Sequence, residues 1–181
     1  MATGRIASRR AYSGRIINLD VDQVRFPDGS EGELEMIRHP GASAVVPFLS
    51  DPRGEDPQVM LIRQYRYAAE QFMYEIPAGR LDVGESPQAC ARRELREETG
   101  CDAETVEHLT TIYTTPGFTD ERIHLFMAMD ITVGAASREH DEFIEVERMS
   151  ITQALRLIQD GSISDGKTII ALLYAAGFRL G

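Results

Sequence analysis

The 181-residue chain is short of basic charge. Its formal net charge is −10 at pH 7, whereas a partner built on a phosphate backbone needs a basic footprint. Nucleic acid is therefore not the expected partner. Cysteine is equally scarce: only Cys90 and Cys101 are present, with no CxxC pair and no histidine at zinc spacing. Neither a disulfide framework nor a zinc site is expected. The two read as small buried thiols of a reduced compartment, which makes the cytoplasm the expected location. No apolar run is long enough to span a bilayer, so no membrane partner is expected. Residues 1–13 carry Arg5, Arg9 and Arg10 but no apolar stretch of the secretory kind. A loose or partner-docked arm is expected there. Repeats and low-complexity tracts are also lacking. What remains, 43% apolar and 27% charged, is enough for one domain with a true core, with or without a short arm.

The first half of the chain is strand-like. Val21 to Phe26 alternates, Pro27-Asp28-Gly29-Ser30 is a turn, and Glu31 to Arg38 is its hairpin partner. Ala42 to Leu49 and Gln58 to Arg66 are apolar runs around the loop 51–57, and Tyr74-Glu75-Ile76 is a short strand stopped by Pro77. A glycine-bearing loop then leads to a helix over 87–99, with Ser86 as its N-cap, Pro87 in its first position and Gly100 just past its end. His108 to Tyr113 and Ile123 to Met129 read as strands around the loop Thr114 to Glu121. Phe143 to Arg148 reads as one more strand. Ser150 to Gln159 has a helical apolar face, and Ser164 is the expected cap of a last helix reaching about Ala176. The fold class is therefore α/β or α+β, with a mixed sheet carrying helices on its faces.

On the helix over 87–99, Glu94 and Glu98 lie one turn apart on one face, with Glu97 three residues from Glu94. Such a cluster repels itself, and a hard divalent cation removes the penalty. Mg2+ in particular is held by a few carboxylates together with water and substrate phosphates. Taken alone, the same glutamates beside Arg92, Arg93 and Arg96 describe a surface helix laced with ion pairs. The longer pattern decides between the two.

Residues 79–101 read Gly-x5-Glu-x7-Arg-Glu-Leu-x-Glu-Glu-x-Gly-Cys, with Gly79, Glu85, Arg93, Glu94, Leu95, Glu97, Glu98, Gly100 and Cys101 at the fixed positions. This segment resembles the signature of the Nudix hydrolases, with Cys101 slightly atypical at the last apolar position. The resemblance implies an α/β/α sandwich, here with an N-terminal β arm over 1–40 and a hydrolase domain over 41–181. It implies hydrolysis of a nucleoside diphosphate linked to another moiety, with Mg2+ as the cofactor and Mn2+ as a substitute. By motif position Glu94 and Glu98 are the principal metal ligands and catalytic carboxylates. Glu97 assists them, and the Ala78 carbonyl is a further ligand. Gly79, Glu85 and Arg93 hold the loop and orient those carboxylates.

The substrate is read from outside the box. Ile76-Pro77-Ala78-Gly79 is common in ADP-sugar hydrolases, and Pro116-Gly117 stands where similar ADP-ribose pyrophosphatases carry a marker proline. Alone, that Pro-Gly pair is only a turn. The resemblance extends to Gly14-Arg15-Ile16, to Arg63-Gln64-Tyr65-Arg66 and to the terminal helices. It suggests Arg63 for the diphosphate, Asp82 for the terminal ribose and Ile16 for the adenine, and a homodimer in which Ile16 serves the partner's site. Arg63 is equally a strand-end surface charge. The general base is expected in the polar stretch 137–142, with Glu142 first and Glu139 second. His140 reads as an idle loop histidine. The expected reaction is ADP-ribose to AMP and ribose 5-phosphate. GDP-mannose, NADH, diadenosine polyphosphates and oxidised nucleoside triphosphates are the rival substrates. A catalytically silent module that senses a nucleotide sugar is the rival class.

Overall fold

The computed structural model describes residues 3–134 and 144–179. They form two compact units, Met1–Gly41 with Ile112–Arg122, and Ala42–Thr111 with Ile123–Gly181.

The first unit is a three-stranded antiparallel sheet of β1 (Gly4–Ser13), β2 (Asn18–Arg25) and β3 (Glu31–Arg38), in that order. The expected hairpin is present: Gly29 takes the left-handed φ of 88° that its turn requires, and β2 begins at Asn18 rather than Val21. Residues 4–13, expected to be a loose or partner-docked arm, form a strand paired to β2 from Gly4↔Arg25 to Ser13↔Asn18, with register shifts between Arg5 and Ala7 and between Arg10 and Tyr12. All ten of its residues are exposed, so the segment carried no alternation between an inner and an outer face. Backbone pairing defines it, with side-chain bonds from Arg10 and Ser13 to Asn18 on β2 at 2.8 and 2.9 Å. Arg38 ties the unit together through Asp20 at 3.2 Å, through Asp22, and through Asp120 at 3.4 Å. A hydrogen bond from Arg10 holds the Asp20 carboxyl below its usual range. The loop carrying Pro116 is stitched to β3, with the Ile37 N–H donating to the Phe118 carbonyl at 2.8 Å.

The second unit contains β4 (Ala42–Pro47), β5 (Gln58–Arg66), β6 (Gln71–Glu75), β7 (Ala78–Arg80), α1 (Pro87–Thr99), β8 (Cys101–Tyr113), β9 (Arg122–Val133), β10 (Ile144–Ser150), α2 (Ile151–Gln159) and α3 (Gly166–Tyr174). A mixed sheet runs β7-β4-β9-β8, with β4 parallel to β9 and antiparallel to β7. A second, antiparallel sheet runs β10-β5-β6. Both α1 and α3 pack on β4. Val45, Met60, Ala91, Leu95, Cys101 and Phe126 form the core under α1. Cys90 and Cys101 are buried and free, as expected. No described helix is long and apolar enough to cross a membrane.

In this unit β8, β7 and α3 depart most from the sequence reading, and β6 and β9 start earlier than expected, at Gln71 and Arg122. β8 begins at Cys101 rather than His108, because an edge strand tolerates the acidic stretch Asp102–Glu107. β7 was not expected at all: three residues centred on Gly79 carry no periodicity. The cap of α3 is Asp165 rather than Ser164. Its carboxylate accepts the Thr168 N–H at 3.0 Å and also suits the positive end of the helix.

At the end of β6 lies a buried charge that the sequence reading left out. Glu75 is 2% exposed and receives Arg66 twice, Nε at 2.6 Å and Nη2 at 2.8 Å. Lys167, the only lysine of the chain, closes on the same carboxylate. Burial pushes the Glu75 carboxyl up, but the Arg66 hydrogen bond and the two cations outweigh it and hold it below the usual range. A carboxyl depressed in the fold contributes stability above its unfolded value of about 4.3 and loses it as the pH falls through the lower folded value. Urea unfolding from pH 7 to pH 3 should therefore show stability falling below about pH 4.3. Glu75→Gln should be less stable at pH 7 by about 3 kcal/mol and show a shallower acid loss. An acid limb as steep as wild type in that variant would show that Glu75 does not generate it.

Candidate active site

The site is built on β7, the following loop and α1. Ser86 caps the helix by accepting the Ala89 N–H at 3.2 Å, Pro87 occupies its first turn, and Gly100 ends it at φ 73°. Register sets the base on which the helix sits. Gly79 on β7 lies opposite Ser43 on β4, which lies opposite His124 on β9. The Ser43 hydroxyl donates to the Pro87 carbonyl at 2.8 Å, fixing the first turn of α1 to the sheet. The Cys90 thiol lies 3.5 Å from the Gly79 and Arg80 carbonyls. Burial, then Glu85 and Glu94, push that thiol up to about 12, so it stays protonated as a weak donor beneath the loop.

Gly79 leaves room for a side chain of the helix. A Cβ there would overlap the Glu94 carboxylate, so the helix carboxylate occupies the place of a side chain. Glu94 is 8% exposed and Glu98 is 2% exposed. Glu98 Oε2 accepts the Ala78 N–H at 3.0 Å. The one-turn spacing thus brings both carboxylates against the Ala78-Gly79 backbone, while the Glu97 side chain stays 43% exposed.

Arg93 ties the box together. Its Nε and Nη2 grip the two oxygens of Glu85 at 2.9 and 3.0 Å, and Nη2 also donates to the Arg80 carbonyl at 3.0 Å. Its Nη1 bridges Glu94 at 2.6 Å and Glu97 at 3.0 Å. The Glu85 bond, followed by the charge of Glu94, raises the Arg93 guanidinium above its ordinary value. In return the Arg93 hydrogen bond holds the Glu85 carboxyl below its own. Glu85 also accepts the Asp82 N–H at 3.0 Å and so fixes the loop. The alternative view of this helix as laced with ion pairs holds in part, since Arg93 pairs with Glu97 one turn on. Arg96 pairs with Asp102, Nε to Oδ1 at 2.7 Å, and Arg92 donates to the Glu104 carbonyl at 3.0 Å.

These donors fit a hard divalent cation. Two buried carboxylates lie against a backbone turn, in a cradle that one methyl group at Gly79 would fill. Among the described residues, no three His, Cys, Asp or Glu side chains converge as a ready-made cage. A hard cation held here would take its remaining ligands from water and phosphate.

The other expected residues are placed as follows. Asp82 lies at the loop surface, 3.9 Å from Arg93. Arg63 pairs with Glu145 at 3.1 Å and stacks over Phe72 at 4.7 Å. Strand alternation sets it on the face of β5 opposite Gln64 and Arg66. Arg66, to which the sequence reading gave no role, is held by Glu75, whose hydrogen bond raises the guanidinium above its ordinary value, with a smaller contribution from the charge of Glu98. The signal was available: Met60, Ile62, Gln64 and Arg66 share one face of β5, and Met60 belongs to the core under α1. Ile16, 56% exposed between β1 and β2, and the exposed Pro116 and Gly117 belong to the first unit. Glu139, His140 and Glu142 lie outside the described residues.

Comparison with known proteins agrees with this geometry. The family model described as the NUDIX domain matches residues 39–172. The methanol dehydrogenase activator of Bacillus methanolicus is 39% identical over 171 residues, covering 93% of this chain and 90% of that protein. The ADP-ribose pyrophosphatase of Bacillus subtilis (strain 168) is 38% identical over the same shares. The crystal structure of an ADP compounds hydrolase superposes with a TM-score of 0.81 at 20% identity, covering 97% of this chain and 93% of that one, a likeness of fold. With its signature folded around Gly79 and matched over most of its length, the chain belongs to the Nudix hydrolase family.

Proposed function

We propose that this protein hydrolyses the diphosphate of ADP-ribose, or of a related ADP-sugar, to AMP and ribose 5-phosphate with Mg2+, for which Mn2+ substitutes. The observation that carries the reading is the buried pair Glu94 and Glu98 against the Ala78-Gly79 turn. Its context is a chain alike over 93% of its length to an ADP-ribose pyrophosphatase. Glu94, Glu98 and the Ala78 carbonyl would hold the cation, with Glu97 at the rim. When bound, such a cation polarises phosphoryl oxygens and lowers the pKa of water. Arg93 holds Glu94 and Glu97 in place, and Glu85 holds Arg93. Arg63 is assigned to the diphosphate, since a guanidinium matches phosphate oxygens bidentately, whereas the Arg66 guanidinium is already engaged by Glu75. Glu142, or Glu139 in its place, is assigned as the base that takes a proton from the attacking water. Asp82 is assigned to the terminal ribose, Ile16 to the adenine, and Pro116-Gly117 to the sugar-specifying loop.

The reading includes a cytoplasmic homodimer joined through the first unit. Ile6, Tyr12 and Ile16 stand 47%, 57% and 56% exposed there, and a second copy would cover them. Light scattering should give twice the 20.2 kDa chain mass. A particle of single-chain mass at micromolar concentration would rule the dimer out.

With Mg2+ and ADP-ribose the protein should release AMP, and neither Glu94→Gln nor Glu98→Gln should do so. A panel including GDP-mannose, NADH and diadenosine polyphosphates separates the rival substrates, and binding of a nucleotide sugar without turnover would favour the sensor. Gly79→Ala tests the cradle. Displacing Glu94 by the width of a methyl group should lower kcat about 100-fold while circular dichroism shows the fold retained. A kcat within the wild-type range would mean that the close approach is unimportant.

A further inference from the structure

We propose that Thr168 and Asp165, at the start of α3, are positioning residues for the carboxylate site and act through the segment Ile76-Pro77-Ala78. The inference rests on the reading of Glu94 and Glu98 as the cation-holding pair. Thr168 is fully buried. Its hydroxyl accepts the Ile76 N–H at 2.9 Å and donates its one proton to Asp165 Oδ2 at 2.6 Å. That same oxygen also accepts the Thr168 N–H and the Lys167 ammonium, each at 3.0 Å. Lys167 passes the connection on to Glu75.

The segment leaves little freedom. Proline has no N–H, so residues 76–78 own two backbone donors. One goes to Thr168 and the other goes from Ala78 to Glu98 Oε2 at 3.0 Å. The Pro77 carbonyl between them accepts the Val45 N–H at 3.0 Å. Thr168 therefore sets the position of the strand end from which Ala78 presents its N–H to a carboxylate that is almost fully buried. Removing the hydroxyl leaves the Ile76 N–H buried without its acceptor and frees the segment to shift. Glu98 then loses part of the contact with the Ala78 N–H that orients it. Such outer contacts on ligand-bearing groups typically tune metal affinity 10–100-fold.

The test reads Mn2+ binding to the full chain by electron paramagnetic resonance, without substrate, beside thermal unfolding. Wild type is first compared with Glu98→Gln. Equal Mn2+ affinity of those two would overturn the carboxylate reading, and this proposal with it. Given a difference, Thr168→Val should bind Mn2+ about tenfold more weakly, and Thr168→Ser, which keeps the hydroxyl, should return close to wild type. Ala154→Gly on α2 supplies the comparison, a core change expected to lower stability without altering Mn2+ affinity. A Thr168→Val protein that is less stable yet binds Mn2+ like wild type would make Thr168 a structural residue only and overturn the positioning role while leaving the carboxylate reading intact. Should Thr168→Val fail to fold, Asp165→Asn is held to the same criterion: weakened Mn2+ binding supports the proposal and unchanged binding overturns it.

Discussion

The close approach of the Glu94 carboxylate to the backbone at Gly79 is the contact on which the site depends. The strand offers no side chain at position 79, and a Cβ there would overlap the end of the Glu94 side chain, which would have to turn away. Ser43 then secures the first turn of the helix through the Pro87 carbonyl, and the buried Cys90 thiol fills the space under the loop. With the helix seated, its one-turn spacing delivers Glu98 to the Ala78 N–H. Gly79 leaves room for the Glu94 carboxylate, and Ser43 anchors the first turn of the helix that carries it.

Burying two carboxylates side by side is costly unless charge and hydrogen bonds compensate. Arg93 supplies part of that compensation, reaching Glu85, Glu94 and Glu97 with one guanidinium. The same device recurs at Glu75, which is held by Arg66 and Lys167 and stands just before the turn that faces Glu98. The two clusters differ in what they leave open. Glu75 is clamped on both sides by fixed cations, which suits a structural charge. Glu94 and Glu98 lie instead against a backbone turn, which suits a cation that arrives with water and phosphate.

Much of this was legible from residue order. The cap at Ser86, the first-turn Pro87 and the stop at Gly100 located α1 to the residue, because capping chemistry is local. The fixed positions of the signature likewise located the carboxylates. Long-range pairing was harder to read. β1 has no buried face, so its strand character lies in backbone bonds to β2 that no side-chain pattern records. β7 is three residues long, and its meaning comes from the row Gly79–Ser43–His124 across separate strands. The Thr168–Ile76 bond joins residues 92 apart, and nothing near either residue announces the other. Arg66 differed in kind, since strand alternation already placed it, and not Arg63, on the side of the core.

The measurement that bears most directly on the account is turnover of ADP-ribose in ¹⁸O-water with Mg2+, with the products analysed by mass. The account predicts AMP and ribose 5-phosphate in equal amounts, with one ¹⁸O on the phosphate that water attacked and no products from the Glu98→Gln protein. Turnover that survives in that variant, or label carried on a carbon of the ribose rather than on phosphorus, would contradict it.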